Sequence, residues 1–196
     1  KIIVFPELCI TGYTCSDLFL QDILLNSAKK ALVKIAEHTK NLDALVFVGV
    51  PIAVGGELYN VAAALNHGNI LGFTTKSFLP NYGEFYEMRQ FRPGPKKAEK
   101  ILFGGKEIPF GPQLLFVENQ MANLIVSSEI CEDVWSPVPP SIEAAREGAT
   151  VIVNCSASDE TIGKASYREA LISGQSARLI SGYIYPNAGE GESTTD

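Results

Sequence analysis

Histidine is almost missing from this chain: His38 and His67 are the two found in 196 residues. His67 lies in His67-Gly68-Asn69, which reads as a turn, and His38 lies near the polar end of a helical stretch. A Ser–His or Cys–His relay would have to use one of them, and neither is well placed. Metal-ligand spacing is lacking too, so no metal site is expected. Cysteine is sparse. Cys9, Cys15, Cys131 and Cys155 form no C-x-x-C pair, which reads as free thiols in a cytoplasmic protein rather than a disulfide scaffold. No G-x-G-x-x-G follows the first strand, which argues against a Rossmann-type nucleotide binder. No apolar run approaches the ~20 residues of a membrane helix, and no signal peptide is visible. Positive charge is in short supply, with 16 basic against 22 acidic side chains and a net charge of -6. That balance argues against nucleic acid or a membrane as partner.

What is present is the composition of one globular domain, with 46% hydrophobic and 19% charged residues. Leu20, Ile23, Leu24, Ala28, Ala31, Leu32, Ile35 and Ala36 form a stripe that predicts a helix over Asp17–Lys40. Ala44–Val54 reads as a buried strand. Tyr59–Asn66 and Ile70–Lys76 read as a hairpin about the His67 turn. Leu114–Val117 and Asn123–Ile130 form a second hairpin about Glu118-Asn119-Gln120. Ser141–Glu147 and Ala165–Ile180 read as helices, the second with Ala170, Leu171, Ala177, Leu179 and Ile180 on its inner face. Thr150–Cys155 and Gly182–Pro186 read as strands. Hairpins mixed with strand–helix crossovers predict an α/β protein with a mixed sheet and helices packed outside. The proline-rich and basic stretch Glu87–Gln113 is either a solvated loop with one short strand or a functional connection. Both ends read as truncated, since Lys1 starts inside a strand and Asp196 stops in a polar segment.

Three strands end in reactive groups. Lys1-Ile-Ile-Val-Phe-Pro-Glu7 ends in a carboxylate, Ile70–Lys76 in an ammonium, and Leu124–Cys131 in a thiol. Strand ends are where α/β proteins place their chemistry. A thiol, a carboxylate and an amine suffice for a covalent hydrolase without histidine. Taken alone, Cys131 has a bland alternative. Glu129, Glu132 and Asp133 surround it, and negative neighbours raise a thiol pKa and blunt it. Strand alternation predicts that Glu129 and Cys131 share a face. Glu7 is either a loop cap or a general base, and Lys76 is either a stem covering apolar surface or a catalytic cation.

Phe5-Pro6-Glu7-Leu8-Cys9-Ile10-Thr11-Gly12-Tyr13, Lys76-Ser77-Phe78-Leu79-Pro80-Asn81-Tyr82-Gly83-Glu84-Phe85 and Glu129-Ile130-Cys131-Glu132-Asp133-Val134-Trp135 stand in order along the chain. They resemble the glutamate, lysine and cysteine motifs of the nitrilase (carbon–nitrogen hydrolase) superfamily. Asp17-Leu18-Phe19, Cys131–Trp135 and Asn187–Asp196 resemble, within it, the glutaminase domains of glutamine-dependent NAD+ synthetases. The resemblance implies a four-layer α-β-β-α sandwich over residues 1–196 and a homo-oligomer. It implies Cys131 as nucleophile, Glu7 as general base, Lys76 as oxyanion cation and Glu84 as the second glutamate positioning them. The Glu132 N–H would complete the oxyanion site. Tyr82, Glu132, Ser158 and Lys164 would contact L-glutamine. The glutaminase step needs no cofactor. The resemblance places ATP and Mg in a synthetase domain C-terminal to Asp196, whose Ser-Gly-Gly-x-x-Asp loop is absent here. Gly189-Glu190-Gly191-Glu192 lacks a lysine and reads as a turn rather than a phosphate loop. Two alternatives stay open: a stand-alone nitrilase-type amidase, and a non-catalytic assembly module of this fold.

Overall fold

The computed structural model describes residues 1–189, so the Glu190–Asp196 part of the closing motif lies outside the described residues. In chain order the elements are β1 (Ile2–Val4), α1 (Asp22–His38), β2 (Leu45–Val54), β3 (Glu57–Asn66), β4 (Asn69–Thr75), β5 (Glu99–Phe103), β6 (Lys106–Gly111), β7 (Leu115–Val117), β8 (Ile125–Ile130), α2 (Pro140–Arg146), β9 (Val151–Cys155), α3 (Lys164–Leu179) and β10 (Gly182–Ile184). Short 3-10 turns cover Ser16–Leu20, Glu87–Arg89 and Cys131–Trp135.

Two mixed sheets form, ordered β1-β2-β3-β4-β6-β5 and β10-β9-β8-β7. Strand alternation sorts their side chains into layers. Val46, Val48, Val50 and Ile52 of β2 join Val61, Ala63 and Leu65 of β3 beneath Ala28, Leu32 and Ala36 of α1. From the opposite faces Phe47, Ala62 and Ala64 meet Val126, Ile130, Val153 and Cys155 of the second sheet. Ile152 then packs outward with Ala144 of α2 and Leu179 of α3. The order is helix, sheet, sheet, helices, which is the four-layer α-β-β-α arrangement. Phe47 and Phe116 meet edge to face across the sheet interface, 5.5 Å between centroids.

Four expectations need correction. The helix expected over Asp17–Lys40 is broken at Gln21, whose extended backbone (φ -103°, ψ 125°) separates the 3-10 turn from α1. Leu20 and Ile23 consequently face solvent. In α3 the inner stripe is Leu171, Ile172, Gln175 and Leu179, while Ala170, Ala177 and Ile180 are exposed. Gln175, the helix's one buried residue, is polar because it donates to Ser141 Oγ at 2.9 Å, and a hydrophobic pattern does not reveal such a contact. The Glu87–Gln113 stretch holds a whole hairpin, with β5 and β6 turning at Gly104 and Gly105 at positive φ. Finally, Glu129 and Cys131 do not share a face. Glu129 points to the α2 side, where it accepts from Ser141 N–H. Cys131 leaves the strand at φ 42° and joins the inter-sheet cluster. Alternation holds only while the strand continues.

Candidate active site

The loop after β1 carries Glu7 across the edge of β2. It lies so close that a Cβ on Gly49 would stand 2.3 Å from Leu8 N and 2.4 Å from Pro6 O. Only glycine admits that crossing. Glu7 is 1% exposed, and its Oε1 accepts from Asn60 Nδ2 and Lys76 Nζ, both at 2.6 Å. Its Oε2 is buried and, among the described residues, has no hydrogen-bond partner. One carboxylate oxygen is thus anchored twice while the other is left with its acceptor capacity unused.

Lys76 follows β4 and is fixed by its backbone, with its N–H on Asn60 O and its carbonyl accepting from Gly94 N–H, both at 2.9 Å. Its side chain is fully buried, and Nζ donates at 2.6 Å to Glu7 and at 2.6 Å to Glu87. Burial opposes the charged ammonium, but the Glu7 and Glu87 carboxylates outweigh it and hold the Lys76 pKa well above its ordinary value. An ammonium has three donors; two are committed to Glu7 and Glu87, and among the described residues no further carboxylate pairs with it.

Cys131 opens the 3-10 turn after β8. Burial pushes its thiol pKa up, Glu7 adds to that, and Lys76 opposes it. The thiol is therefore protonated at rest and needs a base to become a nucleophile. Ser156 and Ala157 favour the thiolate and limit the rise. Asp133 ties the lysine and cysteine loops together. Its Oδ1 accepts from Ser77 N–H at 3.0 Å and Phe78 N–H at 2.9 Å, and its Oδ2 from Ile130 N–H at 2.9 Å.

A second carboxylate does meet Lys76, but it lies three positions beyond the expected Glu84. Glu87, not Glu84, accepts from Lys76 and from Tyr13 Oη, each at 2.6 Å. Burial raises the Glu87 carboxyl pKa to about 7, against the pull of Lys76. Glu84 is only half-buried and lines the cavity beside Asp159. Both glutamates follow the lysine motif, and no local pattern separates them; Glu87 is chosen because the 3-10 turn Glu87–Arg89 aims it inward. Asn60, Asp133 and Gly49 were also missed, since each acts on a residue distant in sequence.

A cavity of about 470 Å³ opens beside this cluster, lined in part by Tyr13, Glu84, Phe85, Glu87, Ser158 and Asp159. Ser158 is buried and tied to Asn187 through its N–H (2.7 Å) and carbonyl (2.9 Å). Tyr82 is exposed and donates to the Glu132 carboxylate at 3.0 Å; desolvation of its hydroxyl, followed by that bond, pushes its pKa to about 12. Lys164, the first residue of α3, pairs with Asp159 and lies over Trp135, 5.5 Å from the ring centroid. Thus Glu7, Lys76 and Cys131 meet in the buried centre, while Tyr82, Glu132, Ser158 and Lys164 surround it. Among the described residues no group of three His, Cys, Asp or Glu could hold a metal ion, and no helix is long and apolar enough to cross a membrane.

The chain is similar to known proteins in sequence and in fold. The family model described as "Carbon-nitrogen hydrolase" matches residues 1–185. A relative from Mycobacterium bovis, "Glutamine-dependent NAD(+) synthetase", is 44% identical over 193 residues, covering 98% of this chain and 28% of that protein. The chain therefore spans little more than a quarter of that relative. A crystal structure of a glutamine-dependent NAD(+) synthetase from Cytophaga hutchinsonii superposes with TM-score 0.84 at 34% identity, over 95% of this chain and 30% of the other. The carbon-nitrogen hydrolase from Helicobacter pylori shares the fold at TM-score 0.65 and 18% identity, covering 95% of this chain and 61% of its own. With the matched model spanning nearly its whole length, the chain belongs to the carbon-nitrogen hydrolase family.

Proposed function

We propose that the chain is a glutaminase: it hydrolyses L-glutamine to glutamate and ammonia through a Cys131 thioester. The observation that carries this is the split carboxylate of Glu7, with Oε1 anchored by Asn60 and Lys76 and Oε2 buried without a partner. A base so held is oriented in advance and keeps one oxygen for a proton.

An amide is a poor electrophile, and covalent attack splits its hydrolysis into two easier steps. Glu7 Oε2 takes the Cys131 proton as Sγ bonds to the amide carbon. The carbonyl oxygen becomes an oxyanion, stabilised by the third Nζ proton of Lys76 and by the Glu132 N–H. That N–H lies in the first turn of a short helix, where no intrahelical acceptor exists. The intermediate collapses, the C–N bond breaks, and ammonia leaves with the proton from Glu7. Water then attacks the thioester, giving its proton to Glu7. The second collapse releases glutamate and returns the proton to Cys131. Glu87 holds Lys76 and Tyr13 in place, the role first expected of Glu84.

The rim supplies recognition. Lys164 would receive the α-carboxylate once it displaces Asp159, Glu132 and Tyr82 would meet the α-ammonium side, and Ser158 would bond the backbone of the substrate. The names of the relatives suggest that the ammonia serves an ATP- and Mg-dependent synthetase domain, which would amidate deamido-NAD+; no residue described here is assigned to ATP or Mg. Cytoplasmic location and homo-oligomeric assembly are part of the same proposal.

Hydroxylamine tests the chemistry. Added during turnover, it should intercept the thioester and yield γ-glutamyl hydroxamate in the parent and none in Cys131→Ala. Ammonia release without hydroxamate, or hydroxamate from Cys131→Ala, would reject the covalent route. Turnover of other amides in preference to glutamine would favour a stand-alone amidase.

A further inference from the structure

Cys131 sits in the left-handed region at φ 42°, where a residue with a Cβ does not rest without support. One side chain meets both its N–H and its carbonyl. Asn154 Oδ1 accepts from Cys131 N–H at 2.8 Å, and Asn154 Nδ2 approaches Cys131 O at 3.4 Å. The amide orientation is fixed by chemistry: a flip would set donor against donor and acceptor against acceptor. Nδ2 also donates to Tyr183 Oη at 3.2 Å. Tyr183 in turn donates to Glu129 Oε1, and Glu129 Oε2 accepts from Ser141 N–H of α2 at 2.9 Å. Ser141 Oγ accepts from Gln175 of α3.

Asn154 donates to Tyr183, and Tyr183 to Glu129. Asn154 is 0% exposed and Glu129 1%, so water cannot substitute for a lost link. Glu129 also brings a carboxyl group into the interior, where burial raises its pKa, and among the described residues no cation pairs with it. Such a group is costly, and its two oxygens are spent on Tyr183 and Ser141. An apolar residue would serve packing better. The network spans three strands, β8, β9 and β10, and ends on the backbone of one residue.

We propose that Glu129, Tyr183 and Asn154 are positioning residues for the nucleophile: acting through the Asn154 amide, they hold Cys131 in its left-handed conformation and aim its Sγ at Glu7. The proposal rests on the reading of Cys131 as nucleophile. It also gives Cys131 N–H a fixed partner, so that N–H is not an oxyanion donor, and the Glu132 N–H takes that part.

The test is a double-mutant cycle on the protein with two readouts, kcat and KM for glutamine and the rate of Cys131 alkylation by iodoacetamide. Tyr183→Phe removes one hydroxyl and keeps the ring, so it should leave the fold intact. We expect kcat and the alkylation rate to fall together by ~10-fold, with KM within twofold, as a misplacement of the reacting atom demands. Asn154→Ala should cost more. Tyr183→Phe on the Asn154→Ala background should add nothing further, because the hydroxyl acts through the amide. Glu129→Gln, which keeps an acceptor for Tyr183, should retain more kcat than Glu129→Ala. Should Asn154→Ala fail to fold, the Tyr183 and Glu129 variants decide alone. A folded Tyr183→Phe with parental kcat and parental alkylation would overturn the proposal, as would additive effects in the cycle. Failure of the nucleophile reading is separate: it would show as a parent protein whose Cys131→Ala variant still turns over glutamine.

Discussion

The buried centre and its rim are built on different principles. At the centre, Glu7, Lys76 and Glu87 are all nearly inaccessible and held by bonds of 2.6 Å. Backbone crossings that only Gly49 permits, and the triple-anchored Asp133, fix the strands that carry them. At the rim, Tyr82 is 59% exposed, and Lys164 pairs with a neighbouring aspartate rather than with the core. Charge at the centre is set before substrate arrives, so little reorganisation remains for the reaction. The rim keeps its charges in local pairs that a zwitterion can exchange. Loss at the centre should therefore appear in kcat, and loss at the rim in KM.

The largest effect should come from Cys131→Ala, which should lower kcat by more than ~10³-fold while Cys9→Ala and Cys15→Ala retain turnover; ammonia release reports all three. Lys76→Met should lower kcat by ~10²- to 10³-fold. Activity within ~10-fold of the parent, ~1.4 kcal/mol, would reject its oxyanion role. The sequence suggests little cost to folding, but the structure leaves Glu7 and Glu87 facing each other without their cation. A thermal melt should show a clear loss at pH 8 that shrinks in acid, as the carboxylates take up protons. Next, Glu87→Gln should lower kcat by ~10- to 100-fold through misplaced Lys76, whereas Glu84→Gln should leave kcat close to the parent. The reverse order would return the role to Glu84.

Glu87 also gives a pH signature. Its folded pKa, about 7, lies above the ordinary 4.5, so the folded state binds its proton more tightly than the unfolded one. Its contribution to stability is present below pH 4.5 and is lost as pH rises through 7. Denaturant melts of the parent relative to Glu87→Gln should show that decline; a rising or flat difference would contradict it. The smallest effect should be at the rim. Tyr82→Phe should raise KM by ~5-fold, the worth of one hydrogen bond, with kcat unchanged.

The same contrast separates what the sequence revealed from what it hid. Alternating β2 and β3 residues were legible because each strand has two apolar destinations. The meeting of Cys131, Glu7 and Lys76 at one buried centre was legible because each follows a strand, in motifs that stand in order along the chain. Glu87, Asn60 and Asn154 were hidden, since their importance lies in a partner 11, 53 or 23 residues away. The split at Gln21 and the true inner face of α3 were hidden for a related reason: a local apolar stripe does not show which face meets a polar contact such as Gln175–Ser141.

The central claim is that one thiol, Cys131, attacks a glutamine side chain. Incubation with a diazo-ketone glutamine analogue, followed by intact mass and peptide mapping, tests it most directly. The account predicts a single adduct, on Cys131, that Cys131→Ala abolishes. An adduct on Cys9, Cys15 or Cys155, or none on the folded protein, would contradict it.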